Sequence, residues 1–76
     1  MSDLIKRSLS LSGHRTSVAL EPEFWAVLDQ MAARQKLSFS ALVASIDAKR
    51  TPDRPLASAL RVAALMDTSR PEETWP

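Results

Sequence analysis

Arg15-Thr16-Ser17-Val18-Ala19-Leu20, followed at once by Glu21-Pro22-Glu23-Phe24-Trp25, decides how this chain folds. Thr16, Val18 and Leu20 alternate with Arg15, Ser17 and Ala19. That period of two is the spacing of a strand with one buried face and one free face. A slip of one residue would bury Arg15 and expose Val18 and Leu20, so the register is well specified. After Leu20 the period changes. Phe24, Leu28, Met31 and Ala32 recur at spacings of three and four, with Trp25 and Val27 beside them, the pattern of an amphipathic helix. Pro22 stands at the change, where its fixed φ suits a first helical turn and its missing N–H costs nothing. The first helix is therefore expected from about Pro22 to Gln35. Glu21 and Glu23 near its start and Arg34 and Lys36 near its end complement the helix dipole.

Outward from this stretch the chain gives no second strong strand. An isolated strand leaves N–H and C=O groups unpaired, which is costly when they are buried. The expected remedy is a second copy of the chain, its strand antiparallel to the first. Size argues the same way. A chain of 76 residues buries only about 60–65% of its unfolded surface and needs a staple or a partner. It has no cysteine for a disulfide or thiolate site, and its one histidine, His14, makes a zinc site within one chain improbable. No run approaches the ~18 apolar residues of a membrane span, and Met1 to Arg7 has no hydrophobic core of a secretory signal. The default is a soluble cytoplasmic protein with no cofactor. Ten basic and nine acidic residues give a net charge of +1, a weak pointer to nucleic acid by itself.

Residues 1–13 read as an N-terminal arm. Ser8, Ser10 and Ser12 alternate with Leu9 and Leu11, so it has the pattern of a strand, and Gly13, the only glycine, sets it apart. Lys6 and Arg7 suit a basic arm on a phosphate backbone. The alternative is an ordered extension that packs Leu9 and Leu11 and does nothing else. Past Lys36-Leu37, Ser38 has the chemistry of a helix N-cap, and a second helix is expected from about Phe39 to Lys49 or Arg50 with Leu42, Val43 and Ile46 inward. Ser38 and Ser40 sit where a helix N-terminus can bind an anion, although capping alone also explains Ser38. Pro52 and Pro55 break the helix. Residues 51–66 form a Pro-rich turn and a third helix from Leu56 to Met66, apolar over much of its circumference, and 67–76 form a tail carrying Trp75. Trp25 reads as core rather than as a ligand platform.

On its free face the strand offers Arg15, Ser17 and Ala19. A two-stranded ribbon fits the major groove, where Arg reads guanine, Ser reads several base edges and Ala meets a thymine methyl. The bland alternative is a solvated face. No catalytic constellation stands out: a nucleophilic triad needs a histidine beside its Ser or Cys, and a single glycine excludes a glycine-rich phosphate loop.

Arg15-Thr16-Ser17-Val18-Ala19-Leu20, then Glu21-Pro22-Glu23-Phe24-Trp25, Leu28, Met31-Ala32 and Leu37-Ser38-Phe39-Ser40, resemble the Arc/MetJ/CopG-like ribbon-helix-helix family of DNA-binding transcriptional regulators, over about Arg15 to Lys49. Gly13-His14-Arg15-Thr16-Ser17, Ile46-Asp47 and Ser58-Ala59-Leu60-Arg61 are similar to a small alphaproteobacterial branch of it. The resemblance implies a mainly α chain whose residues 14–50 form the ribbon-helix-helix domain. It implies an obligate homodimer whose ribbon enters double-stranded DNA. Carried over, the base-facing positions are Arg15, Ser17 and Ala19. The phosphate clamp is Ser38, Phe39 through its backbone, and Ser40. The family commonly has glycine where this chain has Lys36, so a lysine there must adopt a left-handed conformation or end the helix differently. Two functions remain open. One is a sequence-specific DNA-binding regulator. The other is an adaptor or antitoxin-like interaction module that docks a second protein through its third helix and tail.

Overall fold

A computed structural model describes residues 3–69. Two strands and three helices follow in order: β1 (Ile5–Leu11), β2 (His14–Leu20), α1 (Pro22–Gln35), α2 (Phe39–Lys49) and α3 (Leu56–Ser69).

The central strand finds its partner within its own chain. β1 pairs antiparallel with β2, from Ile5 opposite Leu20 at one end to Leu11 opposite His14 at the other. β2 is therefore not a lone strand, and residues 5–11 take the ordered alternative to a free arm, with Leu9 and Leu11 packed inward. The physical reason lies in the turn. Ser12 (φ 50°) and Gly13 (φ 82°) both take positive φ and form a two-residue loop, the turn whose twist matches a right-handed hairpin. Gly13 adopts that conformation at no steric cost. With register closed by so short a loop, the alternation of Leu9 and Leu11 becomes the inward face of a strand. Leu9, Leu11, Val18 and Leu20 are buried together, while Thr16 is only half-buried. The helices hold 14, 11 and 14 residues and each strand holds 7, so helix predominates, but the sheet supplies one wall of the core.

α1 follows β2 with one intervening residue. Its first-turn N–H groups, at Phe24 and Trp25, donate to the carbonyl of Glu21 at 3.0 and 3.3 Å. Trp25, Leu28, Met31 and Ala32 are its buried stripe, and Phe24 is only half-buried. The tryptophan is thus core, as its setting indicated. The helix ends at Lys36, which is left-handed at φ 59° and ψ 39°. Its N–H donates to Ala33, and the N–H of Leu37 donates to the carbonyl of Ala32, closing the end in a Schellman-like way. The lysine therefore takes the strained option.

α2 buries Leu42 and Val43. α3 packs on α1, α2 and β2, burying Ala59, Leu60 and Ala64, and runs three residues past the expected Met66. Arg61 donates to the Glu21 carboxylate at 3.0 Å, and Arg34 is paired with Asp67, so α3 is tied to both ends of α1. Trp75 and the rest of the expected tail beyond Ser69 lie outside the described residues. No described helix is long and apolar enough to cross a membrane.

Candidate nucleic-acid interface

Pairing fixes which side chains share a face. Residues directly opposite in an antiparallel pair project to the same side. The face turned from the core is therefore built of the pairs Lys6 with Ala19, Ser8 with Ser17 and Ser10 with Arg15. One chain alone supplies a complete two-stranded polar ribbon. The sequence-derived positions Arg15, Ser17 and Ala19 form one of its two rows. The second row, Lys6, Ser8 and Ser10, takes the place expected for the same row of another copy. Lys6, Ser8, Ser10, Arg15 and Ser17 are exposed, and Ala19 is half-buried. Arg15 donates from Nη1 to Ser10 Oγ at 3.3 Å across the hairpin. Among the described residues, two cations, three hydroxyls and no carboxylate occupy this face. Such a set can donate to base-edge acceptors and to phosphate oxygens alike.

Lys6 and Arg7, paired in the sequence reading as phosphate contacts, fall on opposite faces of β1. Arg7 lies on the core side, opposite Val18. Its guanidinium donates twice to Asp29, Nη1 and Nη2 each at 3.0 Å from a different carboxylate oxygen. Its central carbon lies 4.7 Å from the Trp25 ring centroid and 5.0 Å from that of Phe39. The two rings are 5.8 Å apart and tilted by 55°. Arg7 is thereby held between three elements, and hydrogen bonding to Asp29 raises its pKa further still. Trp25 adds a second tie to the hairpin: its Nε1 donates to the carbonyl of Ile5 at 2.7 Å. Each contact is modest, about 0–1 kcal/mol for an exposed ion pair and ~0.5–1 kcal/mol for an exposed cation–π contact. Together they tie the hairpin to α1 and α2. Nothing in the sequence pattern pointed to this role except the position of Arg7 two residues before Leu9, on the inward alternation.

The expected phosphate clamp is an ordinary, well-formed helix start. Ser38 is extended (φ −66°, ψ 158°), and its Oγ accepts from Ala41 N–H at 3.0 Å. First-turn N–H groups of an α-helix have no carbonyl partner within it, so those of Phe39 and Ser40 can serve an anion. Ser40 is exposed and Phe39 is half-buried against Trp25 and Arg7. The cap is joined to β1 through Arg7, on the helix side of the hairpin.

Two carboxylates are held below their ordinary range. Glu21 is lowered first by its own backbone N–H and then by Arg61, and Asp53 first by the Thr51 hydroxyl. Both belong to element junctions rather than to the ribbon face.

A family model described as a ribbon-helix-helix domain matches residues 4–68. The match begins ahead of β1 and covers the whole hairpin, α1, α2 and α3 as far as Thr68. No curated protein and no solved structure matches the chain.

Proposed function

The chain belongs to the ribbon-helix-helix domain family, and from that premise we propose that it is a dimeric, sequence-specific DNA-binding regulator acting in the cytoplasm. One observation carries the reading: the outward hairpin face bears Lys6 and Arg15 among Ser8, Ser10 and Ser17, with no carboxylate among the described residues. A ribbon of this width enters the major groove, about 12 Å wide. Arg15 addresses guanine O6 and N7, Ser17 addresses a neighbouring base edge, and Ala19 packs on a thymine methyl. Lys6 and the first turn of α2, with Ser38, Phe39 and Ser40, contact phosphates and fix the register. Arg7 acts indirectly, by orienting hairpin against α2. The outer edges of β1 and β2 and the exposed Ile5 offer a second copy its contact, and pairing doubles the bases read.

Fluorescence anisotropy with genomic fragments tests this. Specific binding is expected. The Arg15→Ala, Ser17→Ala double variant should lose discrimination, each good base contact being worth about 1–3 kcal/mol. Lys6→Ala should weaken all sequences alike and flatten the salt dependence by about one phosphate's share per protomer. Binding unchanged in the double variant would refute the reading.

A second reading, a protein-interaction module of adaptor or antitoxin type, is favoured by α3. Val62, Leu65 and Met66 stand exposed on it, the last two at 57% and 63%. A stoichiometric protein partner held through α3, with no DNA retained at low salt, would select this second function.

A further inference from the structure

Away from the hairpin, α1, α2 and α3 leave an open cavity of about 430 Å³. That volume lies in the range of pockets that hold small organic ligands, about 300–1,000 Å³. Half of its lining is apolar, from Met31, Leu42, Ile46, Ala59, Val62 and Ala63, and Gln35, Ser45 and Thr51 add neutral polar groups. Lys49, Arg50 and Arg54 also line it, and no carboxylate does so among the described residues. Arg50 is already engaged: its Nε donates to Asp47 at 2.9 Å and its Nη1 to the Arg54 carbonyl at 2.8 Å. Arg54 donates from Nη1 to the neutral Ser58 hydroxyl. Lys49 is exposed and has no ion-pair or hydrogen-bond partner among the described residues. The N-terminus of α3, which follows Pro55, adds its partial positive charge nearby.

We propose that this cavity binds an amphipathic carboxylate, its aliphatic chain on Met31, Ile46 and Val62 and its carboxylate between Lys49 and Arg54. Charge complementarity with Lys49 and Arg54 is the argument for this occupant. An uncharged apolar ligand would leave these cations unused. The site is independent of the DNA-facing ribbon, so failure of one leaves the other standing.

Decanoate, below its micellar concentration, is the probe, titrated into the full chain by calorimetry and by methyl NMR. One-to-one binding is expected, with shifts at Met31, Ile46 and Val62 and none on the hairpin. Decanol should bind at least ~10-fold more weakly, a factor that corresponds to about 1.4 kcal/mol. The Lys49→Gln, Arg54→Gln variant, altered only at exposed side chains, should reduce decanoate to the level of decanol while leaving decanol unchanged. Ala63→Met, which fills the cavity, should abolish both, with its fold checked by circular dichroism. Equal affinity for decanoate and decanol, shifts mapping elsewhere, or no binding would overturn the proposal. So would displacement of decanoate by a second copy or by the chain's own Glu72–Trp75 segment, read as a change in mass or as tighter binding in Glu72→Gln, Glu73→Gln.

Discussion

Replacing Leu9 by alanine asks whether the N-terminal residues are part of the fold. Leu9 is 4% exposed, faces the helices from β1 and is paired with Thr16 on β2. Removing a buried leucine side chain costs about 2–5 kcal/mol through lost transfer energy and the cavity left behind. A chain of 76 residues has a total stability of only about 4–11 kcal/mol on the usual per-residue scale. A loss near 3 kcal/mol should therefore lower Tm by ~12–24 °C, at about 4–8 °C per kcal/mol for a domain of this size. Leu4, five residues earlier and 51% exposed, is the control, and its change to alanine should stay within about 0.5 kcal/mol. Thermal and urea unfolding followed by far-ultraviolet circular dichroism reads both. If Leu9→Ala and Leu4→Ala shift the midpoint by the same small amount, β1 is a loosely attached arm and the packing described above is wrong.

The remaining predictions concern the helix ends and their charges. Lys36→Gly should stabilise the chain by roughly 0.5–1 kcal/mol, because Lys36 sits at φ 59° where a Cβ is unfavourable; a urea midpoint that falls would show that the left-handed residue is not strained. Ser38→Ala should cost about 1 kcal/mol, since its Oγ is the cap acceptor for Ala41, and Ser38→Asp should restore it. Glu21 has a folded pKa below its ordinary value, so its contribution is present above that ordinary value, near about 4.3, and is lost as pH falls through the lower folded value. The Tm difference between the protein and Glu21→Gln should hold at neutral pH and close in acid as the carboxylate protonates; a difference that persists in strong acid would mean that the ionised carboxylate, held by its own backbone N–H and by Arg61, is not its source.

Much of the fold was written in local pattern. The period-two run to Leu20, Pro22 at the first turn, the Ser38 cap and the Pro52–Pro55 break gave the elements from β2 onward within a few residues. Two signals were present at the N-terminus but pulled apart. Leu9 and Leu11 alternate with serines, and Ser12-Gly13 is a turn dipeptide. In sequence Gly13 looks like a separator between an arm and a strand, but it is the hinge of a hairpin. The family resemblance, which supplies strand pairing from a second chain, pointed the same way. For the candidate site the row Arg15, Ser17 and Ala19 was legible because alternation fixes it. The row Lys6, Ser8 and Ser10 needed the register, which pairs each residue with a distant one. The inward role of Arg7 could not be inferred from a basic dipeptide, because neighbouring residues on a strand face opposite sides and only the helices' positions bring Asp29, Trp25 and Phe39 to meet it.

The central claim is that the ribbon closes within a single chain. An isotope-filtered NOE experiment on an equal mixture of labelled and unlabelled protein, dissociated and reassociated, tests it most directly. Cross-strand contacts between Leu9 and Thr16 and between Ser8 and Ser17 should arise only within labelled chains. The same contacts between a labelled and an unlabelled chain would contradict the account and place the two strands on different copies.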